Sequence, residues 1–210
     1  MKRARSVFVA GTDTGVGKTH VAVRLIRTFA KEGLRVAGMK PVAAGAEQRP
    51  EGLRNDDAVA LIGASNVDAP YSLVNPVCLP LATSPHIAAR AAGVTIDVGV
   101  LVERYRELAQ RADVVVVEGA GGWLAPIGET RGGVGPSMQD VAVALALPVL
   151  LVVGVRLGCI NHALLTQEAI LRAGLEIEGW VANPVEPGFD DSGEYVAALE
   201  ERLEPPRIDC

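Results

Sequence analysis

Short runs of consecutive apolar residues alternate along the chain with longer stretches whose apolar positions recur at helical spacing. The runs predict β-strands at residues 7–10, 35–40, 113–117, 148–154 and 179–183, and the periodic stretches predict helices at 19–31, 96–111, 138–147, 161–173 and 192–203. Two runs, "VVVV" after Asp113 and "PVLLVV" from Pro148, have no polar face. Strands of that kind are buried on both sides, as in a parallel sheet covered by helices. The alternation therefore predicts a three-layer α/β fold with a mostly parallel central sheet and helices on both faces. Gly33 and Gly174 fall where a helix needs a left-handed stop. Residues 47–55 are polar, with Pro50 and Gly52, and read as a surface excursion; residues 128–137 have the glycine-rich composition of a mobile loop. Neither is long enough to join two domains, and repeats and low-complexity tracts are absent, so one domain is expected over residues 1–210.

Between the first predicted strand and the first predicted helix lies "GTDTGVGKTH", residues 11–20. Gly17-Lys18-Thr19 forms the G-K-[ST] end of a P-loop. Five residues separate Gly11 from Gly17, one more than the pattern allows, and Thr12 fills the slot of its first glycine. Backbone N–H groups of residues 15–19 at a helix start favour an anion. Lys18 would reach the outer phosphates and the Thr19 hydroxyl would ligate Mg²⁺. "DVVVVEGAGG" places Glu118 at a strand end, where an acid holds Mg²⁺ directly or through water. In open α/β sheets ligands bind beyond the carboxyl ends of the strands, and the glycines after Glu118 let backbone approach them closely. Lys40 ends another strand in "AGMKPVAAG", kept out of helical conformation by Pro41. Two lysines at one sheet edge suit a reaction that gathers negative charge on phosphoryl oxygens. In "RNDDAVAL", Asn55 or Asp56 would cap a helix; spacing does not choose between Asp56 and Asp57 as a metal ligand.

Charge and composition narrow the partners. The net charge is −5 and no basic cluster continues past Arg5, which argues against nucleic acid. No segment approaches the roughly 18 uninterrupted apolar residues of a membrane span; the best candidate, residues 145–155, is a buried strand's worth. The basic start runs directly into the glycine loop, without the apolar region of a signal peptide. Cys78, Cys159 and Cys210 are odd in number and far apart, which fits a reducing cytoplasm. Aromatic residues make up 4% of the chain, so a base pocket would rely on backbone and amide contacts. His20, His86 and His162 are assigned no catalytic role.

With "GTDTGVGKT", "KPVAAG", "EGLRNDDAVAL", "SPHIAA", "VEGAGGW", "GVRLGCINHALLT" and "GWVAN" in that order, residues 7–183 resemble dethiobiotin synthetase. The resemblance implies a P-loop NTPase-like enzyme that closes a ureido ring with ATP and Mg²⁺. Its substrates would be 7,8-diaminononanoate (7,8-diaminopelargonate) and CO₂, and its products dethiobiotin, ADP and phosphate. It implies that Thr19, Asp57 and Glu118 surround Mg²⁺, and that Lys40 and Lys18 are catalytic. Gly15, Val16, Gly17, Lys18, Thr19, His20, Asp57, Glu118, Gly119, Ala120, Gly121, Asn183 and Pro184 would bind ATP, with Asn183 at the adenine. Thr14, Lys40, Ala44 and Gly121 would contact the diamine. Gly158, Cys159, Ile160 and Asn161 would receive its carboxylate across a homodimer interface, at a helix start whose N–H groups attract an anion. The chain departs from the family at Gly15, where some members carry glutamate, and at Ala44, where some carry a substrate-binding serine. Its ending, "EPPRIDC", is short against a segment that closes over adenine and ribose. The alternatives are a P-loop nucleotide-binding protein without synthetase turnover, a partitioning switch or a cobyrinate-type amide ligase. The loop before Lys18 has no second lysine of the switch kind, and the chain has no length for a glutaminase domain.

Overall fold

The computed structural model describes residues 6–129 and 135–209; the basic start, residues 130–134 of the glycine-rich loop and Cys210 lie outside the described residues. The elements run β1 (Val7–Gly11), α1 (Lys18–Lys31), β2 (Val36–Met39), β3 (Val42–Ala44), β4 (Glu47–Arg49), β5 (Gly52–Arg54) and α2 (Asp56–Ala64). Then come α3 (Tyr71–Val74), β6 (Val77–Leu79), α4 (Pro85–Ala91), α5 (Val98–Ala109) and β7 (Val114–Glu118). The chain finishes with α6 (Met138–Leu145), β8 (Val149–Val155), α7 (Cys159–Arg172), β9 (Ile177–Pro184) and α8 (Ser192–Glu200).

Five strands form one sheet in the order β2-β7-β1-β8-β9, every neighbouring pair parallel. The apolar runs explain this arrangement. In β7, Val114 and Val116 pack with Val21, Ile26 and Leu61 on one face. Val115 and Val117 pack with Phe8, Leu101 and Met138 on the other. All four valines are buried, and each contributes roughly 1.5–3 kcal/mol of hydrophobic stabilisation. Helices α1 and α2 supply the first face, while α5, α6, α7 and α8 contribute to the second. The order has a functional consequence: β2, β7 and β1 are neighbours, so Lys40, Glu118 and the loop before Lys18 leave the same sheet edge side by side.

Caps account for where helices begin and end. Asp97 accepts N–H bonds from Gly99 and Val100, which starts α5 at Val98 rather than at 96. Ser137 and Asp140 form a capping box on α6. Gly33 and Gly174 both have φ in the left-handed region, at +85° and +79°.

Between β2 and α5 the chain builds elements that the apolar pattern did not predict. β3 pairs with β6 in parallel, and β4 with β5 in a hairpin, each strand three residues long. The polar excursion is this hairpin; Arg49 ties it to Asp56 at 2.6 Å. At the opposite edge, residues 206–208 lie along β9: Trp180 N–H donates to Pro206 O (3.0 Å) and Ile208 N–H to Trp180 O (2.8 Å). This covers an edge that would otherwise present unpaired backbone groups. Among the described residues no helix is long and apolar enough to cross a membrane.

At Gly38 in β2 side chains of α1 and α2 pack directly onto the strand backbone. A Cβ there would lie 2.7 Å from Leu61 Cβ and 2.9 Å from Ile26 Cδ1. Gly38→Ala should lower unfolding stability by about 1–3 kcal/mol through overpacking, read as a lower denaturant midpoint at unchanged slope.

Candidate functional site

The loop from Gly11 to Gly17 needs glycine at two turns, where Gly15 has φ +73° and Gly17 +90°. A side chain on Gly17 would also run into the Asn183 amide. Val16 is buried in the core and anchors the loop, and Asn183 Nδ2 donates to Val16 O at 2.9 Å. Asp13 is held from three directions. Its Oδ1 accepts from Thr14 N–H (2.7 Å), its Oδ2 from Arg156 Nη2 (2.5 Å) and its carbonyl from Lys18 Nζ (2.8 Å).

Beside this loop sits a compact group of charges. Lys40 Nζ lies 2.6 Å from Glu118 Oε1, 2.9 Å from Asp57 Oδ2 and 3.2 Å from Gly119 O. Thr19 Oγ1 donates to the same Glu118 Oε1 at 2.8 Å. Lys40 and Glu118 are 4% and 1% exposed, so both charges are out of water and depend on one another. Asn55 caps α2, its Oδ1 accepting from Asp57 N–H (3.1 Å) and Ala58 N–H (3.4 Å). That cap turns Asp57 towards Lys40, while Asp56 faces outward to Arg49 with its side chain 80% exposed.

The two lysines have opposite electrostatics. Burial pushes the Lys18 ammonium down to about 8, the charge of Lys40 pushes the same way, and Glu118, Asp57 and Asp13 only partly restore it. Burial also opposes charge on Lys40, but Glu118 and Asp57 outweigh it and hold this group above the ordinary lysine value. For Asp57, burial disfavours ionisation; the Lys40 charge and the Lys40 hydrogen bond overcome it and lower the carboxyl below its usual range.

Glu118 Oε2 is buried without a hydrogen-bond partner among the described residues. An orphaned carboxylate oxygen beside a hydroxyl and a second carboxylate is a donor set that suits Mg²⁺, which takes one or two protein carboxylates and completes its shell with water and phosphate. Thr19, Asp57 and Glu118 are the residues that could hold it. Among the described residues no cluster of three or more His, Cys, Asp and Glu side chains offers a site made of protein ligands of those types alone.

Lys40 and Asp57 open onto a cavity of about 560 Å³, lined also by Thr14, Ala44, Asn55, Ser84, Ala120 and Gly121. The structure therefore gathers Thr14, Lys18, Thr19, Lys40, Ala44, Asp57, Glu118 and residues 119–121 around one rim. His20 and Pro184 are exposed and do not line this cavity. Gly158, Cys159, Ile160 and Asn161 do not line this cavity. The Cys159 side chain is buried in the core and its N–H is bonded to Arg156 O at 3.1 Å, which leaves Ile160 and Asn161 to offer first-turn N–H groups. Sequence reasoning missed Arg156, Tyr71 and Asn75, which hold the site from outside; no spacing pattern marks them.

Fold and site together define a P-loop, ATPase-like nucleotide-binding protein. The chain matches the AAA_26 family, an AAA domain, over residues 5–207 and belongs to that family. Solved structures show the same fold at low identity. MinD from Aquifex aeolicus is 16% identical with a TM-score of 0.56, over 97% of this chain and 80% of that one. The kinase domain of Escherichia coli tyrosine kinase ETK is 17% identical with a TM-score of 0.54, over 90% and 71%. The signal recognition particle receptor FtsY from Elizabethkingia anophelis, in complex with GDP, is 18% identical with a TM-score of 0.53, over 99% of this chain and 57% of that one.

A Lys18 ammonium with a pKa of about 8 is partly neutral in mildly alkaline solution, and a bound phosphate restores its charge. Binding of ATP near pH 8.5 should therefore take up a substantial fraction of a proton, measured by calorimetry in buffers of different ionisation enthalpy. Above that pH the affinity should fall as Lys18 deprotonates. Binding without proton uptake would contradict the depressed value.

Proposed function

We propose that this protein is a dethiobiotin synthetase, joining 7,8-diaminononanoate and CO₂ at the expense of ATP. The observation that carries the reading is the Lys40–Asp57–Glu118 cluster beside Lys18, opening on a cavity large enough for a small diamine. Support comes also from the ordered motifs that resemble that family.

In this reading an uncharged substrate amine attacks CO₂, forming a C–N bond and, after proton loss, a carbamate. A carbamate oxygen then attacks the γ-phosphorus and ADP leaves, giving a carbamic–phosphoric anhydride. The second amine attacks the carbonyl carbon, expels phosphate and closes the ring. No nucleophilic side chain takes part. The loop N–H groups and Lys18 hold the outer phosphates, while Lys40 faces the atoms that gain charge. Mg²⁺, held by Thr19, Asp57 and Glu118, would neutralise phosphate oxygens. Positioning and charge stabilisation account for most of the rate in chemistry of this kind.

Ala44 contributes only a methyl group to the cavity, and Gly15 no carboxylate to the loop. The substrate carboxylate would be received by the start of α7 from a second copy in a homodimer. Leu157 and Leu165, 76% and 57% exposed in front of and along α7, support such an apolar interface. Reducing conditions for Cys78 and Cys159, both free thiols, fit a cytoplasmic enzyme.

Purified protein incubated with the diamine, bicarbonate, Mg²⁺ and ATP should form dethiobiotin, detected by mass spectrometry. ATP hydrolysis indifferent to the diamine would favour a switch ATPase, and bound nucleotide without products a protein that does not turn over. Lys40→Ala should lower kcat by roughly 10²–10³; a kcat within threefold of the parent would remove Lys40 from the mechanism. Because the change strands a buried carboxylate at a cost of about 3–5 kcal/mol, kcat is compared only below the variant's melting transition.

A further inference from the structure

Lys40 and Asp57 come from different elements, yet one side chain that touches neither of their charged groups connects them. The Lys40 backbone is clasped by the end of α3: its N–H donates to Val74 O (2.7 Å) and its carbonyl accepts from Asn75 Nδ2 (2.7 Å). The same amide nitrogen donates to Val77 O at 3.1 Å, which leaves Asn75 Oδ1 as the acceptor. Tyr71 Oη donates to that oxygen at 3.0 Å. On its other side Tyr71 Oη accepts the backbone N–H of Asn55 at 2.8 Å, and Asn55 is the cap that starts α2 and orients Asp57. Asn55 and Asn75 are 8% and 2% exposed, so water is a poor substitute for either bond.

Two further contacts keep this hydroxyl in place. The Arg54 guanidinium lies 4.1 Å over the Tyr71 ring, and Cys78 Sγ lies 3.5 Å from the hydroxyl. Burial, with the Cys78 thiol beside it, pushes the phenol up to about 12, so it keeps the proton it donates to Asn75 at any working pH.

We propose that Tyr71 is a positioning residue for the metal–phosphate site: its hydroxyl ties the strand end carrying Lys40 to the helix cap carrying Asp57 and so fixes the aspartate against the lysine and Glu118. The inference rests on the part of the proposed function that places a divalent ion at Thr19, Asp57 and Glu118, and is independent of the diamine. Removing the hydroxyl leaves the ring and its stacking intact but deprives the Asn55 N–H and Asn75 Oδ1 of their partner. Buried groups left in that condition recover a bond by moving, and here either movement shifts a site residue.

The test is Tyr71→Phe, with Mn²⁺ as the probe and a non-hydrolysable ATP analogue in place of substrate. Electron paramagnetic resonance should show Mn²⁺ affinity in the analogue-bound protein falling about tenfold, as for loss of an outer-shell partner. Metal-free binding of the analogue, which depends on the loop and Lys18, should stay within twofold of the parent. Ile170→Val, a core change on α7 far from this network, should alter neither reading although it lowers the melting temperature. Asn75→Ser breaks the same node from the other side and should reproduce the selective loss of metal, which keeps the proposal testable if Tyr71→Phe folds poorly. Unchanged Mn²⁺ affinity in either folded variant would overturn the role, as would an equal loss of metal and metal-free nucleotide binding. Failure of the parent to bind Mn²⁺ with the analogue would overturn the metal site itself, and this inference with it, whereas Mn²⁺ binding without dethiobiotin formation would leave Tyr71's role standing and remove only the synthetase reading.

Discussion

A carboxylate almost wholly removed from water at the end of the second strand of a parallel sheet is the constraint around which this molecule is arranged. Burying the Glu118 carboxylate costs several kcal/mol of desolvation before any attraction is counted, so cations and donors have to reach it. Lys40 and Thr19 both reach one of its oxygens. Lys40 comes from the strand on one side of Glu118 and Thr19 from the helix after the strand on the other, so the pairing works only with the order β2-β7-β1. The hydrophobic runs make the sheet stable, but this ion pair gives its carboxyl edge a single chemistry.

The sheet was legible because its strands are short apolar runs, two of them apolar on both faces, where a residue such as Val116 can read only as buried. The small elements between β2 and α5 were not, since three-residue strands fall below the length at which periodicity carries information. Those elements nevertheless form the wall of the cavity. Lys18, Thr19 and Glu118 were legible from local pattern alone, as each sits at a junction of strand, loop and helix. Lys40 was legible in place but not in state: nothing local indicates that a lysine before proline is buried between two carboxylates. Where Asp56 and Asp57 point depends on which residue caps α2; Asn55 is the cap, and it leaves Asp57 on Lys40 and Asp56 on Arg49. Arg156 on Asp13 and Tyr71 on Asn75 are contacts between segments far apart or of unremarkable composition, and no spacing rule finds them.

The same residue type behaves in two ways within one site, and the difference lies in what each ammonium faces. Lys40 meets two carboxylates and is held charged; its position is occupied before any ligand arrives. Lys18 meets a backbone carbonyl of its own loop, which is a weak partner for a desolvated cation, and its charge is correspondingly easy to lose. An anion entering the loop therefore gains most from Lys18, whose present hydrogen bond is the easier to exchange. Lys40 can turn to a developing negative charge only as something else neutralises Asp57 and Glu118. A divalent ion arriving with the phosphates is the agent that suits this exchange, since it binds the same oxygens more strongly than an ammonium does. On that argument the buried orphan oxygen of Glu118 and the oxygen beside it that Lys40 occupies suit one role: a cation held at the first would free Lys40 from the second.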